Sequence, residues 1–239
     1  PVRTFGKSGS NSWQNKLIFG DNLQVMKTLL EMKKVGQLCN ADGTAGVRLI
    51  YIDPPFATKR EFRGTEDQKA YQDKIIGGEF LEFLRRRLIL MRELLADDGS
   101  LYVHLDWKRS HYAKVILDEL FGEPRFQNDI VWHYSGWNKH LQTNFNRRWD
   151  SLLFYSKSPN PLFKSYALPW ESKEAYVKAR KQEIHLDKDK REYVLSDAGN
   201  GKRVKRYLED ALKMGRPIDD VWDIDKINNS SKEHTGYPT

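Results

Sequence analysis

The sequence predicts an α/β fold, because helix-like and strand-like patterns alternate along the first two thirds of the chain. The run Val47–Ile52 is short and mostly apolar, as expected of a buried parallel strand. Between residues 79 and 96 apolar side chains recur three or four positions apart, the period of an amphipathic helix, and the Asp-Asp-Gly run that follows ends it. Residues 101–105 return to a strand-like pattern. Together these elements predict half of a doubly wound sheet.

Capping residues and shorter apolar runs predict the other elements of this half. They are the end of a strand at residues 16–19, a helix that Asp21 or Asn22 caps and that continues to residue 32, a helix capped by Ser110 and ending at Phe121, and strands at residues 130–134 and 152–155. The Arg-Arg-Arg run at residues 85–87 is predicted to be solvated.

The last third of the chain has a different character. Residues 157–235 show no clean helical or strand period, and they contain a hairpin-like Ala-Gly-Asn-Gly turn at residues 198–201 between two basic stretches. We therefore predict an α/β core in residues 1–156 and a separate region in residues 157–239.

Composition indicates a soluble globular protein, since 39% of the 239 residues are hydrophobic and 31% are charged. Cys39 is the only cysteine, which excludes an internal disulfide and a cysteine-based zinc cluster and fits a reducing compartment. The chain starts without the apolar core of a signal peptide, and nowhere do 18 apolar residues run together. These features predict a cytoplasmic location and no membrane span.

Positive charge is concentrated in the middle of the chain. Residues 133–216 carry 18 Lys and Arg against 10 Asp and Glu, and the same segment contains Trp137, Trp149 and Trp170. Basic side chains neutralise phosphates and aromatic rings stack on exposed bases, so this mixture suits an opened DNA duplex. The alternative is a solvated basic face over core aromatics.

The turn after the predicted strand Val47–Ile52 reads Asp53-Pro54-Pro55-Phe56. The Asp53 carboxylate and the Pro54 carbonyl are two acceptors whose directions proline restricts, and they suit the two N–H bonds of an aromatic amine. Phe56 offers an apolar face on which an extruded base can stack. Asp-Pro-Pro is otherwise an ordinary loop sequence, but ligands of open α/β sheets bind at the carboxyl ends of such strands.

Several segments carry a resemblance to a known family. They are Gly-Asp-Asn-Leu at residues 20–23, the 53–56 turn with Lys59 and Arg60 after it, residues 99–106, residues 128–132 and residues 147–156. In these segments the sequence resembles the bacterial, site-specific adenine-N6 DNA amino-methyltransferases in which the catalytic motif precedes the cofactor motif. The resemblance implies a Rossmann-like, S-adenosylmethionine-dependent methyltransferase fold, present here as a partial sheet, with an inserted or appended target-recognition region.

The resemblance also implies roles for individual residues. Asp53, Pro54, Pro55 and Phe56 would lie at the chemistry, and Asp21 and Asn22 would join Asp53 in the S-adenosylmethionine pocket. Asp21 is expected at the end of a strand beside the catalytic strand. Its alternative role is that of a helix N-cap only, and both roles are compatible.

The implied partner is double-stranded DNA. The residues expected to contact it are Lys59, Arg60, Trp137, Asn138, Lys139, Arg147, Arg148, Lys202 and Arg203. Residues 157–239 would hold the target-recognition region and the lead-in to a cofactor-binding half. A restriction endonuclease and a second copy of the chain are further partners that the family suggests.

One family feature is missing from the sequence. It contains no Phe-x-Gly-x-Gly loop, the main cofactor-binding motif of such enzymes, and it ends in Gly-Tyr-Pro-Thr, which resembles the start of the segment preceding that loop. We therefore expect a fragment or one half of a split protein, which would be inactive alone.

Other functions remain compatible with the sequence. Cytosine-N4 methylation would use the same turn, although Asp at its first position and Phe at its last favour adenine by resemblance. A DNA-binding fragment that has lost catalysis is the alternative from another class, and an RNA or protein amine is a less suitable substrate. No metal is predicted, because His104, Asp106 and His111 lack a further ligand at a recognisable spacing.

Overall fold

The computed structural model describes residues 2–5, 15–56, 61–63, 69–72, 77–136, 140–227 and 231–233. Its helices are α1 (Asn22–Lys34), α2 (Gly78–Leu94), α3 (Ser110–Phe121), α4 (Lys173–Arg180) and α5 (Leu208–Met214), with a 3-10 turn at Glu123–Arg125. Its strands are β1 (Val2–Phe5), β2 (Asn15–Ile18), β3 (Val47–Ile52), β4 (Glu61–Arg63), β5 (Lys69–Gln72), β6 (Leu95–Asp106), β7 (Phe126–His133), β8 (Trp149–Ser156), β9 (Ala167–Leu168), β10 (His185–Leu186), β11 (Glu192–Asp197), β12 (Arg203–Tyr207), β13 (Arg216–Pro217) and β14 (Val221–Asp223).

A five-stranded mixed sheet, in the order β14-β7-β8-β6-β3, organises the first part of the chain. β3 runs parallel to β6 and β14 runs parallel to β7, whereas β8 lies antiparallel between β6 and β7. The carboxyl ends of β3, β6, β7 and β14 and the beginning of β8 therefore meet at one edge, which we call the carboxyl edge. This edge is where ligands of open α/β sheets bind.

Helices α1, α2 and α3 pack with one face of this sheet into the main apolar core. Leu101, Val103 and Leu105 of β6 are fully buried in this core, and Ile50 and Ile52 of β3 pack against it. Because side chains alternate across a strand, the residues between these positions point to the opposite face of the sheet. The α/β class predicted from the sequence is confirmed.

The opposite face holds a smaller cluster in which aromatic rings predominate. Ile130, Leu152 and Phe154 are buried there, and the ring of Phe154 stacks on Tyr102 with centroids 4.5 Å apart. Trp132 packs against the same cluster. Polar residues of β6 and β8 follow this cluster toward the carboxyl edge.

The junction between α2 and β6 is tight. A Cβ atom on Gly46, whose φ is +97°, would lie 2.5 Å from the carbonyl oxygen of Leu94, so the backbone approach requires glycine. Lys33 donates to the carbonyls of Glu93 and Leu95 at 2.6 and 2.8 Å. The unpaired carbonyls at a helix C-terminus favour such a cation.

Most predicted elements of the core are confirmed, with three corrections. The α2 helix stops at Leu94 rather than at residue 96, because the chain enters β6 at once. Ser110 is the first residue of α3, and Arg109 occupies the cap position. In the Arg-Arg-Arg run, the Arg87 side chain is only 12% exposed and lies over the Phe83 ring, so the prediction of a solvated run was wrong for this residue.

The chain divides into two compact units, Pro1–Leu162 with Asp220–Thr239, and Phe163–Asp219. The second unit has its own core of Tyr176, Val194, Leu208 and Ala211, and a three-stranded sheet in the order β10-β11-β12. The described part of residues 157–235 thus contains regular structure, although its sequence shows no clean helical or strand period. Short elements with few apolar positions form this unit, which leaves little periodicity in the sequence.

The predicted hairpin is present in the second unit. Asp197 pairs with Arg203 at the end of the β11–β12 ladder, and Gly199, Asn200 and Gly201 all have positive φ values. In the described residues of both units, no helix has the length and apolar character needed to cross a membrane.

Replacing Lys33 with Met should lower the free energy of unfolding by about 1–2 kcal/mol, because two carbonyls at the end of α2 lose a charged donor. Chemical denaturation measures this change. Lys34→Met is the matched control, since the Lys34 side chain is 68% exposed and pairs only with Glu31 among the described residues, and its effect should stay within about 0.5 kcal/mol. Equal losses in the two variants would contradict the role given to Lys33.

Candidate active site

Asp53 stands directly after β3, at the carboxyl edge of the sheet. Its side chain is half-exposed, and its Oδ1 atom lies 3.4 Å from Nδ1 of His104. Partial burial and the nearby Asp150 raise the pKa of this carboxyl above its usual range, while His104 acts in the opposite direction. The structure thus holds an accessible carboxylate that binds a proton more readily than an ordinary aspartate.

His104 lies beside Asp53 because β3 and β6 are paired in parallel, with Ile52 opposite Val103. The His104 side chain is only 9% exposed, and it points to the face of the sheet that the helices do not cover. Within the described part of the chain its Nε2 atom makes no hydrogen bond, and it lies 3.6 Å from Oδ2 of Asp150. The imidazole is therefore placed between two carboxylates.

Asp150 is the second residue of the antiparallel strand β8 and is almost fully buried. Its Oδ2 atom lies 3.5 Å from Nζ of Lys226, and the Tyr134 hydroxyl donates to its Oδ1 atom at 3.3 Å. Burial alone would raise the pKa of Asp150, but His104 and Lys226 together lower it. Asp150 is thus a buried carboxylate that remains ionised.

The segment after β14 brings Lys226 to this position. Trp132 donates through Nε1 to the carbonyl of Ile224 at 2.7 Å, and the Ile224 amide donates to the carbonyl of His133 at 3.0 Å. Lys226 then lies over the Tyr134 ring, 3.7 Å from its centroid. Burial and the neighbouring Asp150 raise the pKa of Tyr134 to about 12, so it remains a hydrogen-bond donor at neutral pH.

Aromatic rings enclose His104. The rings of Phe56 and His104 form an edge-to-face pair with centroids 5.5 Å apart. The centroid of the Trp132 ring also lies 5.5 Å from that of the imidazole. Tyr51 is farther away, at 6.5 Å. These rings limit the access of water to the imidazole, whereas Asp53 stays open to solvent.

The charged groups of this site are able to exchange protons and to form hydrogen bonds. Asp53 offers acceptor oxygens to a ligand, and His104 offers a ring nitrogen to Asp53. Across the part of the chain that the structure describes, no group of three or more His, Cys, Asp or Glu side chains is arranged to hold a metal ion.

Asp21 and Asn22 occupy the start of α1. Asp21 is its N-cap, accepting from the amide of Leu23 at 2.8 Å, and Asn22 accepts from Nε of Arg87 at the same distance. The N-cap role predicted for Asp21 is confirmed. The prediction that Asp21 follows a strand beside β3 was wrong, because among the described residues β2 pairs with β1 and not with β3.

The residues predicted to contact DNA fall into three groups. Lys59, Arg60, Trp137, Asn138 and Lys139 lie outside the described residues. Arg147 and Arg148 precede β8 at the carboxyl edge, where the Arg147 guanidinium stacks on Trp107 at 3.8 Å from its centroid. Lys202 and Arg203 are exposed on the hairpin of the second unit.

A family model for DNA methylases of the N6/N4 type matches residues 47–239. The chain belongs to this family. The resemblance to DNA amino-methyltransferases, predicted from the motifs, is thereby confirmed, and the candidate site becomes the candidate active site of a methylase whose family uses S-adenosylmethionine.

Relatives of this chain include a type II methyltransferase and the Mod subunit of a type III restriction-modification enzyme. The type II methyltransferase M.EcaI of Enterobacter cloacae is 38% identical over 154 residues, which cover 64% of this chain and 31% of the relative. The Mod subunit of the type III restriction-modification enzyme EcoP15I of Escherichia coli is 28% identical over 189 residues, covering 69% of this chain and 27% of the relative. The chain thus spans about a third or less of these proteins.

Two solved structures are similar to part of this chain. The cytosine-N4-specific PvuII DNA methyltransferase gives a TM-score of 0.39 at 17% identity and covers 71% of this chain and 64% of its own. The M1.HpyAVI–SAM complex gives a TM-score of 0.38 at 14% identity, with coverages of 67% and 74%.

Sequence reasoning missed the partners of Asp53 in this methylase. His104 was considered only as a metal ligand, and Asp150 and Lys226 were not singled out. One signal was present in the sequence, because His104 is a polar side chain within an apolar strand and Asp150 lies near the start of another. Buried polar groups need partners, so such positions indicate a buried network.

The opposite pKa shifts of the two aspartates predict opposite effects on stability. Asn at position 53 should raise the midpoint of thermal unfolding by roughly 2 °C at pH 7, since an ionised carboxylate with a raised pKa destabilises the folded state. This gain should shrink as pH falls through the raised pKa, where Asp53 becomes neutral.

Asp150→Asn is the paired variant and should lower the midpoint by roughly 5 °C at pH 7, because the folded state stabilises the ionised form. This loss should shrink as pH falls and the parent Asp150 becomes protonated. Scanning calorimetry between pH 2 and pH 8 measures both variants, because the lowered pKa of Asp150 places its protonation below the usual aspartate range. A destabilised Asp53→Asn at pH 7 would contradict the raised pKa.

Proposed function

We propose that this methylase transfers the methyl group of S-adenosylmethionine to the N6 amine of an adenine flipped out of duplex DNA. The observation that carries the proposal is the accessible Asp53 carboxylate at the carboxyl edge, followed by two prolines that restrict its turn. Membership of the DNA methylase family supports transfer to an exocyclic amine of a base.

Asp53 and Pro54 would orient the amine. The amine nitrogen of adenine is a poor nucleophile while its lone pair is delocalised into the ring. Two acceptors on its two N–H bonds favour the geometry in which the lone pair is localised on nitrogen. Asp53 supplies a carboxylate oxygen and Pro54 a carbonyl, and neither proline contributes a competing backbone donor.

Phe56 would hold the base itself. A base that undergoes chemistry must leave the duplex stack, and such enzymes stack it on an apolar or aromatic side chain. Phe56 is half-buried, three positions after Asp53, and its ring is supported by His104. A rigid ring beside the acceptors would present the amine at a fixed distance from Asp53, which is where positioning contributes to the rate.

The chemistry of Asp21, Asn22 and Asp53 suits S-adenosylmethionine, which carries a positive sulfonium, an amine and ribose hydroxyls. The Asp21 side chain is 61% exposed even though one oxygen caps α1, so the carboxylate remains accessible to a donor on the ligand. When bound, S-adenosylmethionine supplies an electrophilic methyl group. Arg87 fixes the position of Asn22 and lies 3.8 Å from Asp21.

Two basic surfaces would grip DNA. At the carboxyl edge, Arg147 is pre-oriented by its stacking on Trp107, so it loses little side-chain freedom on binding a phosphate. In the second unit, the hairpin presents Lys202 and Arg203 on an exposed turn, a shape that enters the major groove of B-DNA. We assign target recognition to this unit.

Restriction-modification systems supply the biological setting. The names of the relatives describe modification enzymes and subunits, which supports a companion restriction endonuclease and a cytoplasmic location beside cellular DNA. Pairing with a second copy of the chain remains a prediction from the family.

The decisive test compares Asp53→Ala with the parent protein. Transfer of labelled methyl groups to DNA should fall at least about 10³-fold in the variant, because the amine loses its charged acceptor. Nucleoside mass spectrometry then identifies the product. N6-methyladenine supports the proposal, whereas N4-methylcytosine would show that the substrate base is cytosine and not adenine. Glu31→Gln, an exposed charge on α1, is the control and should retain parental transfer.

Acid should also slow methyl transfer by the parent protein. Because an ionised Asp53 is a stronger acceptor for the amine N–H than the neutral acid is, the rate should fall as pH drops through the pKa of this group. That pKa is raised, so the loss should begin at a higher pH than for an ordinary aspartate. A rate that stays constant down to the usual aspartate range would refute this role.

The grip on DNA can be tested at Arg147. Replacement by Ala should weaken DNA binding about fivefold to tenfold and reduce the slope of log K against log salt by about 1. Lys34→Ala removes one charge from the opposite end of the sheet, where α1 ends near the start of β6, and should change neither quantity. Equal effects of the two changes would indicate that only net charge matters.

A further inference from the structure

We propose that His104 is a positioning residue that takes up, through Asp53, the proton released by the methylated amine. The inference rests on the proposed function, since it concerns the fate of the proton in that reaction. It starts from the placement of a nine-tenths buried imidazole between two carboxylates, with Nδ1 facing Asp53 and Nε2 facing Asp150.

After methyl transfer the amine nitrogen carries one proton that it must lose. As the amine nitrogen of the base bonds to the methyl carbon, the carbon–sulfur bond breaks and its electron pair remains on sulfur. The nitrogen then carries four bonds and a positive charge, and it must lose one proton to give the neutral methylated base. Asp53 is the acceptor nearest to that proton if it binds the amine as proposed.

Asp53 alone would hold this proton beside the product. Nδ1 of His104 is 3.4 Å from the Asp53 oxygen, and catalytic hydrogen bonds that are long in the free enzyme often shorten when substrate binds. Passing the proton from Asp53 to Nδ1 restores the carboxylate and forms an imidazolium. When the product leaves, the proton returns through the half-exposed Asp53 to water, so the balance of charge is restored.

Asp150 prepares His104 for this role. Because Lys226 and Tyr134 contact the Asp150 carboxylate, it stays ionised and attracts the single proton of the neutral imidazole to Nε2. Nδ1 is thereby left as a free acceptor toward Asp53. Once His104 is protonated, both of its N–H groups face carboxylates, which stabilises the cation.

A purely structural role would also explain a buried histidine at this position, so the experiments have to distinguish that role from proton uptake. The groups that face His104 or act on it through Asp150 come from four parts of the sheet. They are Tyr51 and Asp53 from β3, Asp150 from β8, Tyr134 after β7, and Lys226 after β14. The pH dependence of His104 is therefore a property of this group of residues rather than of one pair.

The first measurement is an NMR titration of the histidine ring nitrogens in the protein, with His104 assigned from the signal that His104→Gln lacks. Asp53→Asn and Asp150→Asn should each change the ring-nitrogen signals of His104 across the titration, because each removes a negative charge within 4 Å. Signals that change in neither variant would overturn the proposal, whatever the activity of the protein.

The second measurement is the single-turnover rate of methyl transfer as a function of pH. His104→Gln keeps an amide donor for Asp150 but cannot accept a proton, and its rate should fall about 10²-fold. Its pH profile should lose one ionisation, while its affinities for DNA and S-adenosylmethionine stay within about twofold. A parental rate, or a lower rate with an unchanged pH profile, would assign His104 a structural role only.

Asp150→Asn provides a second route should His104→Gln fail to fold. The proposal then requires its single-turnover rate to decrease and its acid limb to shift together with the titration of the His104 signals. A parent protein that binds both DNA and S-adenosylmethionine but methylates no DNA amine would refute the proposed function. The NMR shifts would still decide whether Asp53 and His104 share a proton, so the two failures are distinguishable.

Discussion

The candidate active site depends on one constraint, the parallel pairing of β3 with β6 together with the antiparallel pairing of β8 beside β6. Ile52 lies opposite Val103 and Asp106 lies opposite Asp150, so Asp53, His104 and Asp150 project from three adjacent strands at one edge. A shift of any pairing by one residue would turn the polar side chains toward the helices and the apolar ones away from the core. The apolar core beneath the helices therefore enforces the geometry of the polar cluster above it.

The two carboxylates of this cluster differ because their surroundings differ. Asp53 is half-exposed, has no lysine or arginine in direct contact among the described residues, and has a raised pKa. Asp150 is buried, contacts Lys226 and His104, and has a lowered pKa. One carboxylate is thus suited to receive a proton and the other to remain charged. Such divergence between neighbouring groups is a common property of sites that move protons.

Segments that are far apart in the sequence contribute side chains to the carboxyl edge. Arg147 lies in the β7–β8 connection and stacks on Trp107. Lys226 lies in the segment after β14 and contacts Asp150. Residues 163–219 form a separate unit between these contributions, so the chain leaves the sheet, folds that unit and returns to it.

The sequence by itself determined the α/β class, the bounds of β3, nearly the whole of α2 and the hairpin at residues 198–201. Each of these depends on local periodicity, capping or turn chemistry that neighbouring residues express directly. Asp53 likewise follows from a local motif, the turn at residues 53–56. Only the tertiary structure decided that β2 pairs with β1, that Arg87 is largely buried, and that His104 joins Asp53 to Asp150 and Lys226. Strand order and long-range pairing join Asp53 to His104 and Asp150 to Lys226 across 51 and 76 positions, and no local pattern records such contacts.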